Sequence, residues 1–552
     1  MANKASQPGN VSLSSIGLQA NNDTQDPSPH AYSPEFVLED ASSVYKADLR
    51  FNSLMSHKEQ LSAHGQIGLS WHTKHRLRDP PVLESIHYRR YLEEAGAFLE
   101  LPRSTTDALL PIYNAILDDL IPVVDGASVL RDHSNAECSI YLVRALCLAV
   151  CKTKQAVPFL RLSPDGPVME PLNFALTLSE GLDVALKADL EPDRLVKVQI
   201  LALLHLHNHG PAGIERSPSY LSQAICEAWS ISLHVIAPPK PDQEQCDYLW
   251  WTLRNFDRLN KPIARAGPFM IDDTDIGILR PAARIGSYRS QLMEMALLLG
   301  DLMVTATKSY KASSTATTDG CEVFPSLSDI VSSSRFDQFH RSHKAYLKIW
   351  YHVAAMLTSR YSDPQSIQYN RRLKSAYEIL DIFVQENYQS LPPLPLLPYA
   401  ISMSTTVIYR AWRDGERDLN DTYKNLGMCC SVLEGLEQVW RSARNMALLA
   451  VNLRNAMKPD SANQGGRRNS PSHRIVSPAS VTAPTHGDNA ANLGQNALAP
   501  IEEEEVPESF WAGLERACVQ FDATFDNLLD YEAFCAFQET IPVGQFHQMH
   551  DV

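Results

Sequence analysis

The residues from Leu195 to Leu206 form the feature that most limits how this chain can fold. Wound as an α-helix, they carry apolar side chains around most of the circumference. A helix without a broad polar face has to be covered by protein on several sides. The chain has 552 residues, of which 44% are hydrophobic, and this size and composition are sufficient for a large core. We therefore expect this helix to be buried inside a large packed domain.

This buried helix has start and stop signals in the sequence. Pro192 is expected at its first position, where a missing N–H costs nothing, and Asp193 complements the positive end of the helix dipole. Gly210 is expected to end it. A second helix is predicted to open with Ser217 as its cap and Pro218 as its first residue. Its inward-facing stripe consists of Tyr220, Ala224, Ala228 and Ile231.

A third helix follows, and the charged residues on it have predicted roles. Arg254 and Asp257 are three residues apart and are expected to pair across one turn. The helix should end near Asn260, because Pro262 disfavours a helical residue before it. A break from Ala312 to Ser334 predicts a long loop. No series of strands is predicted, so the expected fold class is all-α. The apolar face of the third helix consists of Leu249, Leu253 and Phe256.

Composition divides the chain into five segments. Residues 1–35 are rich in Ser, Asn, Gln and Asp and are predicted to be a disordered tail, and residues 36–79 form a lead-in without a defined pattern. Helical periodicity with Pro and Gly breaks fills residues 80–455. Residues 456–500 form a linker rich in Pro, Ser and Asn, which is predicted to be disordered. Residues 501–552 are an acidic and aromatic C-terminal segment.

Charge and targeting signals restrict where the chain works. A formal net charge of −15 argues against broad binding to nucleic acid, which depends on Lys and Arg. The N-terminus does not have the pattern of a signal peptide, and no apolar run approaches the roughly 18 residues of a membrane span. The ten cysteines are scattered and are expected to be reduced thiols. These features predict a soluble chain inside the cell with no membrane partner.

Two polar clusters have residue types that bind metals, and neither predicts a metal site. Asp272, Asp273 and Asp275 do not fit the calcium-loop template, so capping and turn formation are their expected roles. His205 and His209 share a helix face at a chelating spacing, but no third ligand is visible. Phosphate-binding loops, dinucleotide fingerprints and nucleophile elbows are absent from the sequence. We expect no metal, no cofactor and no enzymatic activity.

The region from Glu191 to Pro281 contains several short motifs in a fixed order. They are Leu-Trp-Trp at 249–251, Phe-Asp-Arg-Leu at 256–259 and Ile-Asp-Asp-Thr-Asp-Ile at 271–276. In this order and spacing they resemble the middle homology region of fungal zinc-cluster transcription factors. The loop that reads Arg-Ala-Gly-Pro at 265–268 departs from the family, because the Gly-Arg order is lost. The positions that match the family motifs are Glu191, Asp193, Arg194, Trp250, Trp251, Asp257, Arg258, Pro268, Asp273 and Asp275.

The resemblance extends over most of the helical region and is strongest toward the subgroup of cutinase transcription factors. Glu84–Pro102 resembles the start of the family domain, and Leu394–Arg410 resembles its proline-rich entry to a late helix. The resemblance implies a large multi-helix regulatory domain of the fungal transcription factor type. It implies no shared catalytic residues. Trp250 and Trp251 are expected to be core residues rather than parts of a ligand site.

The six-cysteine zinc cluster that precedes this region in the family has no candidate in the sequence. Two explanations stay open: a shortened chain that begins after the cluster, or a regulator that works without one. Contact with DNA is then expected only indirectly or through a missing N-terminal segment. The expected partners are other transcriptional regulators or coactivators, in a homo- or heterodimer. The expected location is the nucleus.

The C-terminal segment combines acidic and aromatic residues from Glu502 to Phe537. This alternation is typical of an activation segment, whose side chains enter a coactivator groove. The apolar residues also follow helical spacing, which equally favours a terminal helix docked on the main domain. The candidate activation residues are Phe510, Trp511, Phe521, Phe525 and Tyr531.

Together these features predict a fungal transcriptional regulator of RNA polymerase II gene expression, whose C-terminal segment is either an activation region or a docked helix. Carbon or lipid utilisation and a secondary-metabolite biosynthetic cluster are the expected kinds of target. The rival hypothesis is a cytosolic helical scaffold or small-molecule-binding protein that has no role in transcription.

Overall fold

Helices form the regular structure throughout the described part of the chain. A computed structural model describes residues 86–456 except 208–209, 237–241, 264–267, 312–323, 332–335, 359–363 and 365. Fifteen α-helices, four short 3-10 segments and no β-strand occur in these residues. The all-α prediction is confirmed.

The first eight helices precede or contain the first two family motifs. In chain order they are α1 (Ile86–Glu94), α2 (Arg103–Ile116), α3 (Gly126–Ser134), α4 (Ile140–Val150), α5 (Pro171–Lys187), α6 (Arg194–His205), α7 (Gly210–Ser230) and α8 (Gln243–Ile263).

Seven helices follow the Ile-Asp-Asp-Thr-Asp-Ile sequence at 271–276, which we call the aspartate motif. They are α9 (Tyr288–Lys311), α10 (Leu327–Val331), α11 (Arg341–Met356), α12 (Ile367–Glu386), α13 (Leu396–Arg413), α14 (Leu419–Glu437) and α15 (Arg441–Ala456). The proline-rich entry to a late helix is present as predicted, since α13 begins directly after Pro395.

Several predicted segments lie outside the described residues. These are the tail at 1–35, the lead-in at 36–79, the linker beyond Ala456 and the segment at 501–552. The candidate activation residues Phe510, Trp511, Phe521, Phe525 and Tyr531 belong to this last segment.

Most helices pack against helices that are near them in the chain. α2 packs on α4, α4 on α5 and α6, and α6 on α7, while α8 packs on α9 and α9 on α11. From α11 to α15 each helix packs on the next one. Helix α13 also contacts α8, and α15 contacts α7, so the last helices close onto the middle of the chain. The buried apolar residues of these helices form one continuous core.

Helix α6 is the buried helix that the sequence predicts, with a different start. Every residue from Val198 to His205 is buried. Asp193 is the cap: its carboxylate accepts hydrogen bonds from the N–H groups of Leu195 and Val196 at 2.8 and 3.3 Å. Pro192 therefore lies before the helix and is not its first residue. A cap such as Asp193 gives two free N–H groups of the helix an acceptor, whereas a proline at the first position only removes one N–H group. The cap therefore stabilises the helix start more.

The predicted stop at Gly210 and the predicted start at Ser217 are wrong. Helix α6 ends at His205, and Gly210 is the first residue of α7, which continues through Pro218. The Ser217 hydroxyl donates to the His205 carbonyl oxygen at 2.7 Å and ties α7 to the end of α6. This contact and the buried stripe of α7 outweigh an interior proline, which costs about 3 kcal/mol. The predicted stripe at Tyr220, Ala224, Ala228 and Ile231 is buried, as expected.

Two other predicted boundaries differ from the structure. Helix α8 continues past Asn260 to Ile263, although its predicted apolar face is buried as expected. The predicted loop after residue 312 contains helix α10. Ser326 caps this helix, because its hydroxyl accepts from the Asp329 N–H at 3.2 Å and the Asp329 carboxylate accepts from the Ser326 N–H at 3.1 Å. Such a reciprocal cap stabilises even a short helix.

We predict that Asp193→Ala lowers the free energy of unfolding by about 1 kcal/mol, because two N–H groups of α6 lose their acceptor. Urea denaturation followed by circular dichroism measures the change. Asp193→Ser is the matched control and should keep most of the stability, since serine is also a good cap. Equal losses in both variants would contradict the capping role.

Candidate functional site

Helix α8 carries a buried arginine that holds two other segments of the chain. Arg254 is 1% exposed. Its Nε donates to Asp273 Oδ1 at 2.8 Å, and its Nη2 donates to Asp301 Oδ1 at 2.6 Å. Asp273 belongs to the aspartate motif, and Asp301 lies on α9. The predicted pair between Arg254 and Asp257 does not form, because both groups have partners outside their own helix.

The next turn of α8 extends this network. Arg258 Nη1 donates to Asp257 at 2.7 Å, and Arg258 Nη2 donates to Asp273 at 3.0 Å and to the Ile271 carbonyl oxygen at 2.8 Å. The Asp257 carboxylate accepts the N–H groups of Met270 and Ile271. The charged residues of α8 thus hold the backbone at residues 270–271 as well as the Asp273 side chain. We call residues 270–276 the motif segment. We call Arg254, Asp257, Arg258, Asp273 and Asp301 the ion-pair cluster.

The protonation states of the ion-pair cluster follow from its hydrogen bonds. Bonding to Arg254 lowers the pKa of Asp273, so this carboxylate stabilises the fold above the usual range near 3.9 and loses that contribution as the pH falls below it. Burial lowers the pKa of Arg258, and the neighbouring Arg254 lowers it further. For Arg254 itself, burial is outweighed by the bonds to Asp273 and Asp301, so its pKa is raised. Both arginines remain charged at neutral pH.

The two tryptophans hold α8 to the segments before and after it. The Trp251 Nε1–H donates to the Leu279 carbonyl oxygen at 3.1 Å, and the Arg254 guanidinium lies 5.9 Å from the Trp251 ring centroid. Trp250 is 1% exposed and packs on His234, with 5.5 Å between the ring centroids. Both indoles are core residues, as the sequence predicts. They anchor α8 to the segments that precede it and follow it.

Three other predicted motif residues form a separate polar cluster around the start of α6. Glu191 accepts hydrogen bonds from the Ser139 hydroxyl at 2.5 Å and from the Asp193 N–H at 2.9 Å. Arg194 pairs with Glu227 of α7 at 2.6 Å. Burial raises the pKa of Glu191. These residues join α6 to α4 and α7, so their observed contacts are structural.

The remaining motif residues take no part in the ion-pair cluster. Asp275 and Pro268 are exposed, and residues 265–267 are outside the described part of the chain. Asp272 caps the 3-10 turn Asp273–Asp275 by accepting the Thr274 N–H at 2.9 Å, which agrees with the predicted turn role. Asp273 does more than form a turn, because it joins both arginines of α8.

Sequence patterns missed Asp301, although a weak signal for it exists. A Cβ on the neighbouring Gly300 would lie 2.8 Å from Asn255 Oδ1 and 3.3 Å from Arg254 Nη1. The glycine therefore permits the close approach of α9 to α8. A glycine inside a helical pattern is a sign of such packing.

A second ion-pair group has no signal in the sequence. Arg289 on α9 pairs with Asp118 and, at 3.2 Å, with Asp119, and it donates to Gln245 at 3.1 Å. Asp118 also accepts the Gly126 N–H at 3.0 Å. Burial raises the pKa of Asp118 to about 6. These partners lie more than 40 residues from Arg289, so no local pattern predicts their contact.

A small cavity lies at the last turns of α8, between α6, α7, α11 and the start of α13. Its interior measures about 30 Å³, which is room for about two water molecules. Asn260 is 5% exposed, and its Oδ1 has no hydrogen-bond donor among the described residues. The cavity is lined by His205, Leu206, Ser217, Phe256, Leu259, Asn260, Ile263, Tyr346, Leu394, Pro395 and Leu396.

His205 has a structural partner in this region. Its Nδ1 lies 2.9 Å from the Ser217 hydroxyl and 3.0 Å from the Ser217 carbonyl oxygen. Burial lowers the pKa of His205 to about 4, so the ring is neutral at physiological pH. His209 is outside the described residues. In the described ranges no group of three or more His, Cys, Asp or Glu residues could hold a metal ion, and the seven cysteines are free thiols.

Comparison with known proteins shows a distant relationship. Cutinase transcription factor 1 alpha of Fusarium vanettenii is 25% identical to this chain over 199 residues, which is 34% of this chain and 21% of that protein. The chain therefore spans about a fifth of the length of the curated relative it matches. No protein-family profile matches the chain. The predicted relationship to fungal transcription factors is supported at this distance, whereas the subgroup and the missing zinc cluster stay predictions.

No helix in the described ranges has the length and apolar character that crossing a bilayer requires.

We predict that Asp273→Asn lowers the free energy of unfolding by about 1–3 kcal/mol, because two buried arginines lose a charged acceptor. The lower part of this range is expected, since the Asp273 side chain is 51% exposed. Chemical denaturation at neutral pH measures the change. Asp275→Asn makes the same chemical change in the same turn at an exposed side chain, and should stay within about 0.5 kcal/mol of wild type. Similar losses in both variants would contradict the role of Asp273.

We predict that His205 contributes to the loss of stability on acidification. Its pKa of about 4 lies below the ordinary value near 6.5. Between these two pH values His205 is therefore protonated in the unfolded chain and neutral in the folded chain. The contribution of His205 to the free energy of unfolding is complete above pH 6.5 and is lost progressively as the pH drops toward 4. His205→Asn should therefore lose about 2 kcal/mol less than wild type between pH 7 and pH 5. Urea denaturation at both pH values tests this, and the exposed His87→Asn should behave like wild type.

Proposed function

We propose that this chain is a fungal transcriptional regulator that acts in the nucleus on RNA polymerase II gene expression. The similarity to Cutinase transcription factor 1 alpha carries the proposal. The described part of the fold agrees with it, because most of the motif residues hold helices or their connecting segments together.

Control of activity is proposed to occur through repacking of helix α8. One side of α8 is held to the motif segment and to α9 by Arg254 and Arg258. Its last turns line the cavity at Asn260. A partner that changes the packing of these last turns acts on the same rigid helix that carries both arginines. Packed helices tend to move between discrete arrangements, so such a partner would select one of two domain states.

The contacts with DNA and with the transcription machinery are part of the same proposal. Another regulator, or a segment outside this chain, would supply DNA binding. The acidic and aromatic residues at 501–552 would recruit a coactivator, which makes the chain an activator. The relative is named for cutinase, so genes for carbon or lipid utilisation are the first targets to test, followed by a secondary-metabolite cluster.

Genome-wide expression profiling after deletion of the gene tests this proposal. We expect a coherent set of transcripts to fall and to recover when the wild-type chain is restored. A chain truncated after Pro500 should enter the nucleus and fail to restore these transcripts. If no coherent set changes, or if a tagged wild-type chain stays outside the nucleus, the proposal is wrong and a cytosolic scaffold becomes the better hypothesis.

A further inference from the structure

Helix α15 presents a basic face that has no cover among the described residues. Its sequence contains three arginines and no acidic residue. Arg441, Arg444 and Leu448 are exposed, Leu448 by 51%. Their spacing of three and four residues places them on one side of the helix. We call these three residues the α15 face.

The opposite side of α15 is buried against the domain. Ala443, Met446, Ala447 and Ala450 are buried in the domain core, and the helix packs on α14 and α13. The third arginine, Arg454, stacks on Tyr423 of α14, 5.2 Å from the ring centroid. Arg441 and Arg444 form no ion pair with any described carboxylate. The α15 face is therefore free to accept an acidic partner.

The distribution of charge along the chain indicates which partner. Residues 341–456, which include α11 to α15, contain 14 basic and 10 acidic residues. Residues 501–552 contain 12 acidic residues and one arginine. The C-terminal segment therefore carries most of the net negative charge of the chain, and α15 is the last described helix before it. Opposite charges on two parts of one chain favour their association.

The C-terminal segment also has an apolar pattern that suits a helix face. Asp522 and Asp526 flank this pattern and are four residues apart, as on one side of a helix. The apolar residues recur at steps of three and four and are Trp511, Leu514, Cys518, Phe521, Phe525 and Leu528. An amphipathic helix of this type binds by its apolar stripe, with charged residues at the rim.

We propose that residues 510–529 dock on the α15 face as an amphipathic helix. The aromatic stripe packs beside Leu448, and the flanking carboxylates pair with Arg441 and Arg444. In this state the aromatic side chains are withheld from outside partners, and a competing partner releases them. The proposal concerns a contact within the chain and does not depend on the role in transcription.

The length of the connecting chain permits this contact. There are 53 residues between Ala456 and Phe510, and a Ser-, Asn- and Gly-containing chain of that length spans about 40 Å root mean square. Helix α15 is about 24 Å long. A tether of this kind gives an effective concentration on the order of 1 mM. A contact with an intrinsic Kd of roughly 0.1 mM would then be closed about ten times more often than open.

Hydrogen exchange on the full-length protein tests the docking. We compare wild type, a chain truncated after Pro500, and the double variant Arg441→Glu with Arg444→Glu. Truncation should speed exchange in peptides of α15 by up to about tenfold, the ratio of closed to open forms. The double variant should do the same and should also speed exchange in residues 510–529. The control is Arg89→Glu with Arg90→Glu, which makes the same charge change on exposed side chains of α1 and should match wild type.

Three results would overturn the proposal. One is unchanged exchange in α15 after truncation. A second is protection of residues 510–529 that the double variant does not affect, which would place the segment on another surface. A third is protection that depends on protein concentration, which would assign the contact to a second copy of the chain. None of these results bears on whether the protein regulates transcripts, so the two proposals can fail separately.

Discussion

Burial of the Arg254 guanidinium is the interaction on which the arrangement of the domain depends. A charge that is 1% exposed is stable only when acceptors surround it, because an unpaired buried ion costs several kcal/mol. Asp273 and Asp301 supply those acceptors from two different segments. Removing the arginine from water therefore requires the motif segment and α9 to lie in fixed positions on α8. The tryptophans at 250 and 251 complete the same constraint with apolar packing and one hydrogen bond.

The sequence predicts some of these elements because their cause is local. The apolar circumference of α6, the buried stripe of α7 and the apolar face of α8 follow from periodicity, which residue spacing alone records. Helix ends are less well predicted. Pro218 and Pro262 signal helix starts or stops in isolation, yet both lie inside helices. At Pro218 the contact of Ser217 with His205 ties the early turns of α7 to α6, which local sequence does not show.

The partners in the ion-pair cluster illustrate a second limit on prediction. The spacing of Arg254 and Asp257 fits a pair across one turn, but Arg254 binds residues 19 and 47 positions away. Asp257 instead binds its neighbour Arg258 and two N–H groups 13 and 14 positions away. A charged side chain has many possible partners in the sequence, and the packing of helices decides which one is near. The motif resemblance identified Asp257, Arg258 and Asp273 as important positions. Only the structure gives the physical reason, which is a shared network with Arg254 and Asp301.

The order in which helices pack has a consequence for how the protein is made. Because most helices contact neighbours in the chain, most native contacts span short sequence distances, a property that favours rapid folding. Helices α1 to α7 can bury much of their apolar surface while later residues are still being translated. The contacts of α13 with α8 and of α15 with α7 form only after the last helices have been synthesised. Until α13 and α15 have left the ribosome, α8 and α7 lack these contacts, and the apolar surface they cover stays open to solvent or to a chaperone.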